Sequence, residues 1–465
     1  MKKNKYILIA ALALALTGCE NMVDGLNSDP NNVAATDVDA GLYMNTPELA
    51  LVNEQCGLFS RLSAMWSGQL IGTNSVPLTH YQYQVTENSF DFDNFHNVIT
   101  QCKFIQQQAP ENDLYQGMTR VMEALLFGTY ASFYGDVPCS EVTSDIQYPK
   151  FDAQADVFTY SQNLLDSAIS YLNKVTQPQY RQDYFYSGNP QKWEEAAYTL
   201  KARFYTMVKE YVKAYAAALH GISSDKNSMY FVPVNDDQTT NKNVYYEYNS
   251  IIQGMSTSDL TGKQCYMFDL MDERDNSKTD ETARKAYYKM TSTDPTHDNG
   301  ISGPLEHEPL VTYAENLLIL AETAARTPGF STGLSYLNQL RSFLNDGGQL
   351  NNIYKALPHK YEAYTADDFA SGGLVNKDGL SSDRALLREI IQERYITGFT
   401  MFMPFDDARR LRGTKETDIA VDIPLNTSSA TRQPERFLYP DGEMLSNPNA
   451  PKDPGLYSAT PVNQK

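Results

Sequence analysis

The chain has few cysteines for its length of 465 residues: Cys19, Cys56, Cys102, Cys139 and Cys265. They form no CxxC pair and have no histidines at ligand spacing, so we expect no zinc site, and nothing else indicates a metal or cofactor. The four cysteines after Cys19 leave two alternatives open. Either one disulfide forms, with Cys56 and Cys102 as the favoured pair, or all four are buried thiols.

Basic residues are in the minority. Lysine and arginine number 38 against 57 aspartates and glutamates, which gives a formal net charge of -19. Because there is no basic patch to neutralise phosphates, the composition argues against a nucleic-acid-binding protein. The simplest interpretation of the acidic excess is a solvated acidic surface.

The common catalytic motifs are absent. The sequence contains no GxSxG, HExxH, P-loop or GxGxxG pattern. The segment Glu306–Pro309 places two carboxylates around His307, and we interpret it as a solvated loop start rather than a metal or acid–base site. A surface glycoside hydrolase stays open as an alternative, because the separation of its two carboxylates is set in space and not in sequence.

Long apolar runs are confined to the N-terminus. Three lysines within the first five residues precede an apolar stretch at 7–16, which is too short to span a membrane and is typical of a secretory signal. The following letters LTGC, ending at Cys19, have the order of a bacterial lipobox. We therefore expect a lipoprotein signal peptide at 1–18 and lipidation of Cys19.

A polar segment rich in Asn, Asp and Gly follows the lipobox, at residues 20–45. This composition is typical of a flexible tether, which would hold the rest of the chain away from the membrane. We expect a lipidated tether at 19–45 and a single domain at 46–465. An apolar content of 42% is sufficient for a hydrophobic core in that domain.

Apolar residues at helical spacing dominate several stretches, namely 113–138, 151–174, 189–215, 311–346 and 383–399. Stretch 311–346 contains two amphipathic helices on either side of Thr327-Pro328-Gly329, in about 35 residues, close to the tetratricopeptide period of 34. Such hairpins cannot bury their apolar faces alone, so we expect them to stack. Trp193 lies on an apolar stripe and is assigned to the core.

Long stretches without periodicity lie between the helices, at 66–95, 220–308, 346–380 and 401–465. Loops of this length in a compact domain are usually functional or disordered. A rigid helical part that carries long irregular loops is a layout that suits a binding protein. Within the first stretch, Tyr81 and Tyr83 alternate with glutamines as in a half-exposed strand.

Several short strings, in this order behind a lipobox, resemble the SusD/RagB family of lipid-anchored outer-membrane nutrient-binding proteins. The strings are LNSDPNN, FYGDVP, WEEAAYTLKARFY, YAENLLILAE, LREIIQERYITGF and RFLYPDGEMLSNPNA. One departure concerns FDDARR at 405–410, where many members have tryptophan-aspartate before the arginine pair. The departure leaves the subfamily and the ligand class open.

The resemblance implies a mainly α fold of about four tetratricopeptide-like hairpins packed against an irregular, ligand-bearing half. It implies a partner, a TonB-dependent outer-membrane barrel transporter (SusC-like), over which the lipoprotein sits as a hinged lid at the cell surface. The expected function is non-catalytic capture of an oligosaccharide and its delivery to that barrel. Peptide capture is the alternative within the family, and a helical-repeat adaptor is a structural alternative outside it.

Sugar-binding sites combine aromatic faces with short polar side chains. Two loop segments have this mixture, one beginning near Trp66 and one near Tyr287. The predicted ligand-binding residues are Trp66, Asn74, Tyr81, Tyr83, Tyr287, Tyr288, Asp298 and Asn299. For Trp66 the core and the ligand site are equally good assignments. The arginines near the C-terminus are expected to form ion pairs that fix this part of the chain; they are Arg409, Arg410, Arg412 and Arg436.

Overall fold

The computed structural model describes residues 39–142, 146–176, 183–233, 242–291 and 300–464. The chain divides after residue 42, and residues 43–465 form one compact unit. Cys19, the predicted signal peptide and most of the predicted tether lie outside the described residues. None of the described helices is long and apolar enough to cross a membrane.

The α-helices come in two groups, long ones that form the scaffold and short ones that interrupt the loops. They are α1 (Asn45–Cys56), α2 (Leu58–Trp66), α3 (Ser75–Tyr81), α4 (Asp93–Gln108), α5 (Asp113–Tyr134), α6 (Gln154–Leu172), α7 (Pro190–Met207), α8 (Tyr211–Ala218), α9 (Val244–Ile251), α10 (Tyr266–Arg274), α11 (Thr282–Tyr288), α12 (Tyr313–Arg326), α13 (Phe330–Asn345), α14 (Ser382–Thr397), α15 (Met403–Thr414) and α16 (Asp441–Ser446).

The longest helix, α5, lies at the centre of the scaffold. Asn112 caps its start by accepting a hydrogen bond from the backbone N–H of Tyr115 at 3.1 Å, and Gly135, with φ of +85°, ends it. Most of its side chains are buried. Gly128 allows α7 to approach, because a Cβ at this position would lie 2.1 Å from the ring of Phe204.

Consecutive helices pack against each other in pairs, among them α4 with α5, α5 with α6, α7 with α8, α12 with α13, and α14 with α15. The pairs also pack on one another, α6 on α7, α8 on α12 and α12 on α14. In the α12–α13 hairpin, Leu318 and Ala321 share a hydrophobic cluster with Leu337 and Leu340, and Gly329 makes the turn with φ of +114°. The predicted mainly α fold of stacked helical hairpins is confirmed.

Short strands pair segments of the chain, and two of the pairs join different predicted loop stretches. They are β1 (Ile71–Gly72), β2 (Val137–Pro138), β3 (Phe151–Asp152), β4 (Met229–Phe231), β5 (Met255–Ser256), β6 (Thr279–Asp280), β7 (Glu308–Val311) and β8 (Lys360–Tyr361). The described strands form antiparallel pairs, β1 with β5, β2 with β3, β4 with β7 and β6 with β8. Stretch 220–308 thereby pairs with 66–95 through β1–β5 and with 346–380 through β6–β8.

The disulfide prediction is wrong. Cys56, Cys102, Cys139 and Cys265 are all free and buried, so the alternative of four buried thiols is confirmed. Burial raises the pKa of each thiol above its ordinary value, because the thiolate is poorly solvated there. These cysteines are therefore inert packing groups.

Two local predictions also differ from the structure. The half-exposed strand expected around Tyr81 and Tyr83 is instead the end of helix α3, followed by a turn in which Tyr83 has φ of +63°. The stretch 401–465, predicted to lack periodicity, contains helix α15. Its buried face carries charged side chains such as Asp406 and Arg410, so it shows no apolar period.

Candidate ligand-binding site

An open cavity of about 430 Å³ lies where β1 and α3 meet the segment before α10; we call it the Tyr81 cavity. Its lining is formed by Gly68, Leu70, Ile71, Gly72, Thr73, Leu78, Tyr81, Asp259, Leu260, Thr261, Lys263, Gln264, Cys265, Tyr266, Asp269, Pro424, Leu425 and Asn426. A cavity of this size is within the usual range for small-molecule ligands.

The floor of the cavity depends on Gly68. This residue has φ of +70°, and a Cβ there would lie 3.2 Å from the Cβ of Tyr266. The backbone on either side is held by Tyr395, whose hydroxyl donates to the carbonyl of Ser67 at 2.7 Å, and whose own carbonyl accepts from Gln69 Nε2 at 2.7 Å. The half-buried ring of Tyr266 is therefore held against a rigid turn.

One rim of the cavity is a tight loop between the bridged residues Ser258 and Gln264. Asp259 Oδ1 accepts hydrogen bonds from the backbone N–H groups of Thr261 at 2.8 Å and Lys263 at 2.9 Å. These bonds fix the carboxylate at the base of the loop and leave Oδ2 outside this network. At the tip, Leu260 is 77% exposed and offers an apolar surface beside the carboxylate.

The opposite rim is built by Asn426. Its Nδ2 donates to the carbonyls of Met65 at 2.8 Å and Tyr81 at 3.0 Å. Its backbone N–H donates to the hydroxyl of Tyr83 at 2.9 Å, and that hydroxyl donates to Gln433 Oε1 at 2.8 Å. The C-terminal loop is thus bound to the segment that carries Tyr81.

Both tyrosines of the cavity remain neutral hydroxyls at physiological pH. Burial and the neighbouring Asp259 raise the pKa of Tyr81 above its ordinary value. Burial, with Glu273, Asp422 and Asp269 nearby, raises the pKa of Tyr266 to about 12. Each ring therefore offers a face for stacking and a hydroxyl that both donates and accepts.

A second open cavity, of about 490 Å³, lies beside β7 and α11; we call it the Tyr287 cavity. It is lined by Asp225, Tyr230, Tyr287, Tyr288, Ile301, Leu305, Glu306, His307, Pro309, Thr312, Phe343, Asp346, Gly348, Gln349, Leu350, Asn351, Asn352, Lys355, Thr397, Phe399 and Met401. The predicted tyrosines Tyr287 and Tyr288 belong to this cavity and not to the Tyr81 cavity.

A family model described as starch-binding, associating with the outer membrane, matches residues 32–400. The chain belongs to the SusD-like family. This confirms the predicted resemblance over most of the sequence. A comparison with curated proteins found no match.

Solved structures share the SusD-like fold. A SusD homologue from Bacteroides uniformis is 18% identical, with 92% of this chain and 100% of that chain covered and a TM-score of 0.65. A chitin-binding SusD homologue from Flavobacterium johnsoniae is 17% identical, with coverages of 91% and 98% and a TM-score of 0.65. A SusD/RagB family protein from Bacteroides thetaiotaomicron is 19% identical, with coverages of 90% and 95% and a TM-score of 0.61.

The structure distributes the first predicted segment of this SusD-like chain over different environments. Tyr81 lines the cavity, and Asn74 is exposed at the start of α3, outside the lining. Trp66 and Tyr83 are buried, with 1% and 5% of their surfaces exposed. The Trp66 Nε1–H donates to the carbonyl of His80 at 2.9 Å, so the core assignment describes this tryptophan.

The second predicted segment, which begins near Tyr287, bonds to the backbone next to β5, the strand that the first segment also pairs with. It nevertheless lines a different cavity. The backbone N–H of Thr257, just after β5, donates to the carbonyl of Met290 at 3.1 Å, while β5 pairs with β1 on its other side. Tyr287 and Tyr288 nevertheless face the Tyr287 cavity and are 5% and 1% exposed. Asp298 and Asn299 lie outside the described residues.

Tyr81 is the one lining residue of this cavity in the predicted set, and the lining residues that the set lacks include Asp259, Tyr266 and Asp269. The local sequence does indicate a role for Asp259, because the order Asp-Leu-Thr-Gly at 259–262 is typical of a tight turn closed by an aspartate. Tyr266 begins helix α10, and nothing in its local sequence distinguishes it from a packing residue. The pairing of β1 with β5, together with the hydrogen bond from the backbone N–H of Met267 to the carbonyl of Gly68, brings these residues to Tyr81.

Proposed function

We propose that this SusD-like protein captures an oligosaccharide in the Tyr81 cavity at the cell surface and delivers it, without catalysis, to a TonB-dependent outer-membrane barrel of the SusC type. Lipidated Cys19 would anchor it to the outer membrane, facing outside. Membership of the SusD-like family supports the proposed location at the outer membrane and the proposed barrel partner. The cavity itself supports the ligand class.

One observation carries the choice of ligand. Two half-buried tyrosine rings, Tyr81 and Tyr266, share an open cavity with the carboxylates of Asp259 and Asp269. Aromatic faces pack against the apolar faces of sugar rings, and carboxylates accept hydrogen bonds from sugar hydroxyls. The exposed Leu260 adds apolar contact at the rim. An open cavity with few fixed polar groups suits a segment of a longer glycan.

The absence of catalysis is part of the proposal. Among the described residues, no group of three or more His, Cys, Asp or Glu side chains could hold a metal ion. The carboxylate of Asp259 is fixed by backbone N–H groups of its own loop, which stabilise its ionised form. A general acid in a glycosidase needs the opposite, a raised carboxyl pKa.

The experiment is calorimetric titration of maltooligosaccharides and chitooligosaccharides into wild-type protein and into Tyr81→Ala and Tyr266→Ala. A stacked ring contributes about 0.5–1.5 kcal/mol beyond its buried area, so each variant should bind about ten-fold more weakly. Tyr198→Ala is the matched control, because Tyr198 is half-buried on α7 and packs on His220 outside the cavity.

Wild-type affinity in both cavity variants would show that the ligand binds elsewhere. Product analysis of the same mixtures tests the non-catalytic part. Shortened oligosaccharides that disappear in Asp259→Asn or Asp269→Asn would favour the hydrolase alternative. Binding of peptides in place of every glycan tried would favour peptide capture.

A further inference from the structure

The Tyr287 cavity carries an excess of negative charge. Its lining contains the carboxylates of Asp225, Glu306 and Asp346, and the ammonium group of Lys355. Among the described residues, none of the three carboxylates has an ion-pair partner within 4 Å. The cavity therefore presents uncompensated acidic groups to whatever enters it.

Neutral groups hold two of these carboxylates in place. The hydroxyl of Tyr230 donates to Asp225 Oδ1 at 3.0 Å. The Nδ2 of Asn351 donates to Glu306 Oε2 at 2.8 Å. Hydrogen bonds from neutral donors orient a carboxylate and leave its charge in place.

The cavity wall adds aromatic faces to these charges. The ring of Tyr230 lies 5.8 Å from the ring of His307, and Phe343 is a half-buried part of the same wall. Aromatic faces attract cations, and cations gain most where carboxylates stand beside the rings. Neutral ligands can donate hydrogen bonds to these carboxylates, but only a cationic ligand also gains the attraction between opposite charges.

We propose that the Tyr287 cavity is a second binding site, separate from the Tyr81 cavity, for a ligand that carries a protonated amino group. The ammonium group of the ligand would contact the carboxylates of Asp225 and Glu306, with the ring of Tyr230 beside it. Amino sugars and lysine side chains share this chemistry. The site stands on its own lining and does not depend on which neutral glycan the Tyr81 cavity accepts.

The test uses three probes at mildly acidic pH, where amines are protonated: triglucosamine, tri-N-acetylglucosamine and trilysine. The first two have the same sugar rings and differ in the charge at nitrogen. The Tyr81→Ala protein, in which binding at the first cavity is weakened, should bind triglucosamine at least about ten-fold more tightly than the acetylated probe, and added salt should weaken this binding. Tighter binding of trilysine would identify a peptide as the source of the amino group and would support the same site.

Two isosteric variants locate the site. Glu306→Gln keeps an acceptor for Asn351 and removes the charge, and Asp225→Asn keeps an acceptor for Tyr230 and removes the charge. Each should weaken binding of the amine probe about ten-fold, while Tyr81→Ala leaves it unchanged. Thermal unfolding checks that both variants fold.

Equal affinity of the Tyr81→Ala protein for the charged and acetylated probes, or salt-independent binding of triglucosamine, would overturn the proposal. So would loss of amine binding in Tyr81→Ala with wild-type behaviour in both charge variants. Because the glycan proposal is tested through Tyr81 and Tyr266, either proposal can fail without the other.

Discussion

Arg410 on α15 donates two hydrogen bonds to Glu322 on α12, from Nη1 to Oε1 at 2.7 Å and from Nη2 to Oε2 at 3.0 Å. Both side chains are almost completely buried. Burial alone would raise the pKa of Glu322, but Arg410, Arg326 and Arg394 together hold it well below its ordinary value. The carboxylate is therefore ionised and joins helices α12, α14 and α15 at the centre of the scaffold.

Replacing Glu322 by Gln should strongly destabilise the protein. The substitution leaves Arg410 and Arg394 buried with an excess positive charge, and breaking a buried ion pair from one side costs about 3–5 kcal/mol. Urea denaturation at neutral pH measures the change in the free energy of unfolding. The control is Asp378→Asn, which removes the more exposed partner of Arg388 and should cost less than about 1 kcal/mol. Equal effects of the two substitutions would contradict this expectation.

The protein should lose stability as the pH rises from about 5 to about 9. Burial raises the pKa of Glu54 to about 7 and that of Glu308 to about 8. Because both folded-state values lie above the ordinary 4.5, the stabilisation is complete below pH 4.5 and is lost as each carboxyl ionises. Each pKa unit corresponds to about 1.4 kcal/mol. Chemical denaturation at a series of pH values gives the profile.

The variant Glu308→Gln tests whether ionisation of Glu308 causes part of this loss of stability at higher pH. Glu308 Oε1 accepts from the backbone N–H of Val244 at 2.9 Å, and the amide oxygen of glutamine can keep this bond. The variant should therefore fold and show a smaller loss of stability between neutral and alkaline pH. A profile identical to wild type would mean that Glu308 is already ionised in the folded protein.

Much of the scaffold could be predicted because its helices obey apolar periodicity. The α12–α13 hairpin has alanines and leucines at helical spacing, and the structure places them in one core cluster. Helix α15 could not be predicted in this way, since its buried face includes Asp407 and Arg410, whose burial is possible only beside Glu322 and Arg394. These partners are distant in sequence.

The C-terminal arginines were predicted to form ion pairs, and most do. Arg409 pairs with Asp406, Arg410 with Glu322, and Arg412 with Glu435. Arg436 is different. Its guanidinium donates to the carbonyl of Tyr134 and lies 4.9 Å from the ring centre of Tyr439. The sequence predicted that Arg436 would be held in place by a partner. It did not predict that the partners would be a backbone carbonyl and an aromatic ring.

The candidate site was only partly predictable for a similar reason. Tyr81 and Tyr287 were both expected at one site because each lies in a loop rich in aromatic and polar residues. The local composition of a loop does not show on which side of a pair of strands the loop will lie. The pairing of β1 with β5 decides this, and its few backbone hydrogen bonds have no strong sequence signal.

Tyr83→Phe should weaken ligand binding without contact between Tyr83 and the ligand. The lost hydroxyl bonds both Asn426 and Gln433, which fix the C-terminal rim of the Tyr81 cavity. Losing such bonds costs about 1 kcal/mol of stability, and we expect a few-fold weaker affinity because the rim becomes less ordered. Calorimetry measures the affinity, and Tyr439→Phe, whose hydroxyl bonds Asp136 outside the cavity, is the control. Unchanged affinity would show that this rim does not contact the ligand.

Cys19→Ala should release the protein from membranes and leave its fold intact. The lipobox motivates this prediction, since the thiol of Cys19 is the expected attachment point of the lipid. Membrane fractionation and incorporation of radiolabelled palmitate are the measurements. Cys56→Ala removes a buried thiol instead and should keep both the label and the membrane location. Equal labelling of wild type and Cys19→Ala would exclude lipidation at this residue.

Trp66→Phe should lower stability and leave ligand affinity unchanged. The indole lies against Phe405 and Phe437, with ring centres 5.7 and 5.3 Å away, and its N–H is bonded to the carbonyl of His80. Replacing it with a smaller ring leaves a void and removes one of the two hydrogen bonds to the His80 carbonyl, which keeps the bond from the backbone N–H of Tyr83. We expect a cost of about 2 kcal/mol, less than full truncation to alanine. Urea denaturation and calorimetry on the same samples separate the two effects.

Tyr266→Ala should give the opposite pattern, a weaker ligand affinity with little loss of stability. Comparing it with Trp66→Phe distinguishes a residue that binds ligand from one that packs in the core. Tyr266 is half-buried on the cavity floor, so its truncation removes a face that the ligand can contact and costs the core little. We expect a loss of about ten-fold in affinity with a small change in stability. If Trp66→Phe weakened binding as much as Tyr266→Ala does, the indole would contribute to binding, either by contact with the ligand or by holding the segment of His80 and Tyr81 in place, and a role in packing alone would be excluded.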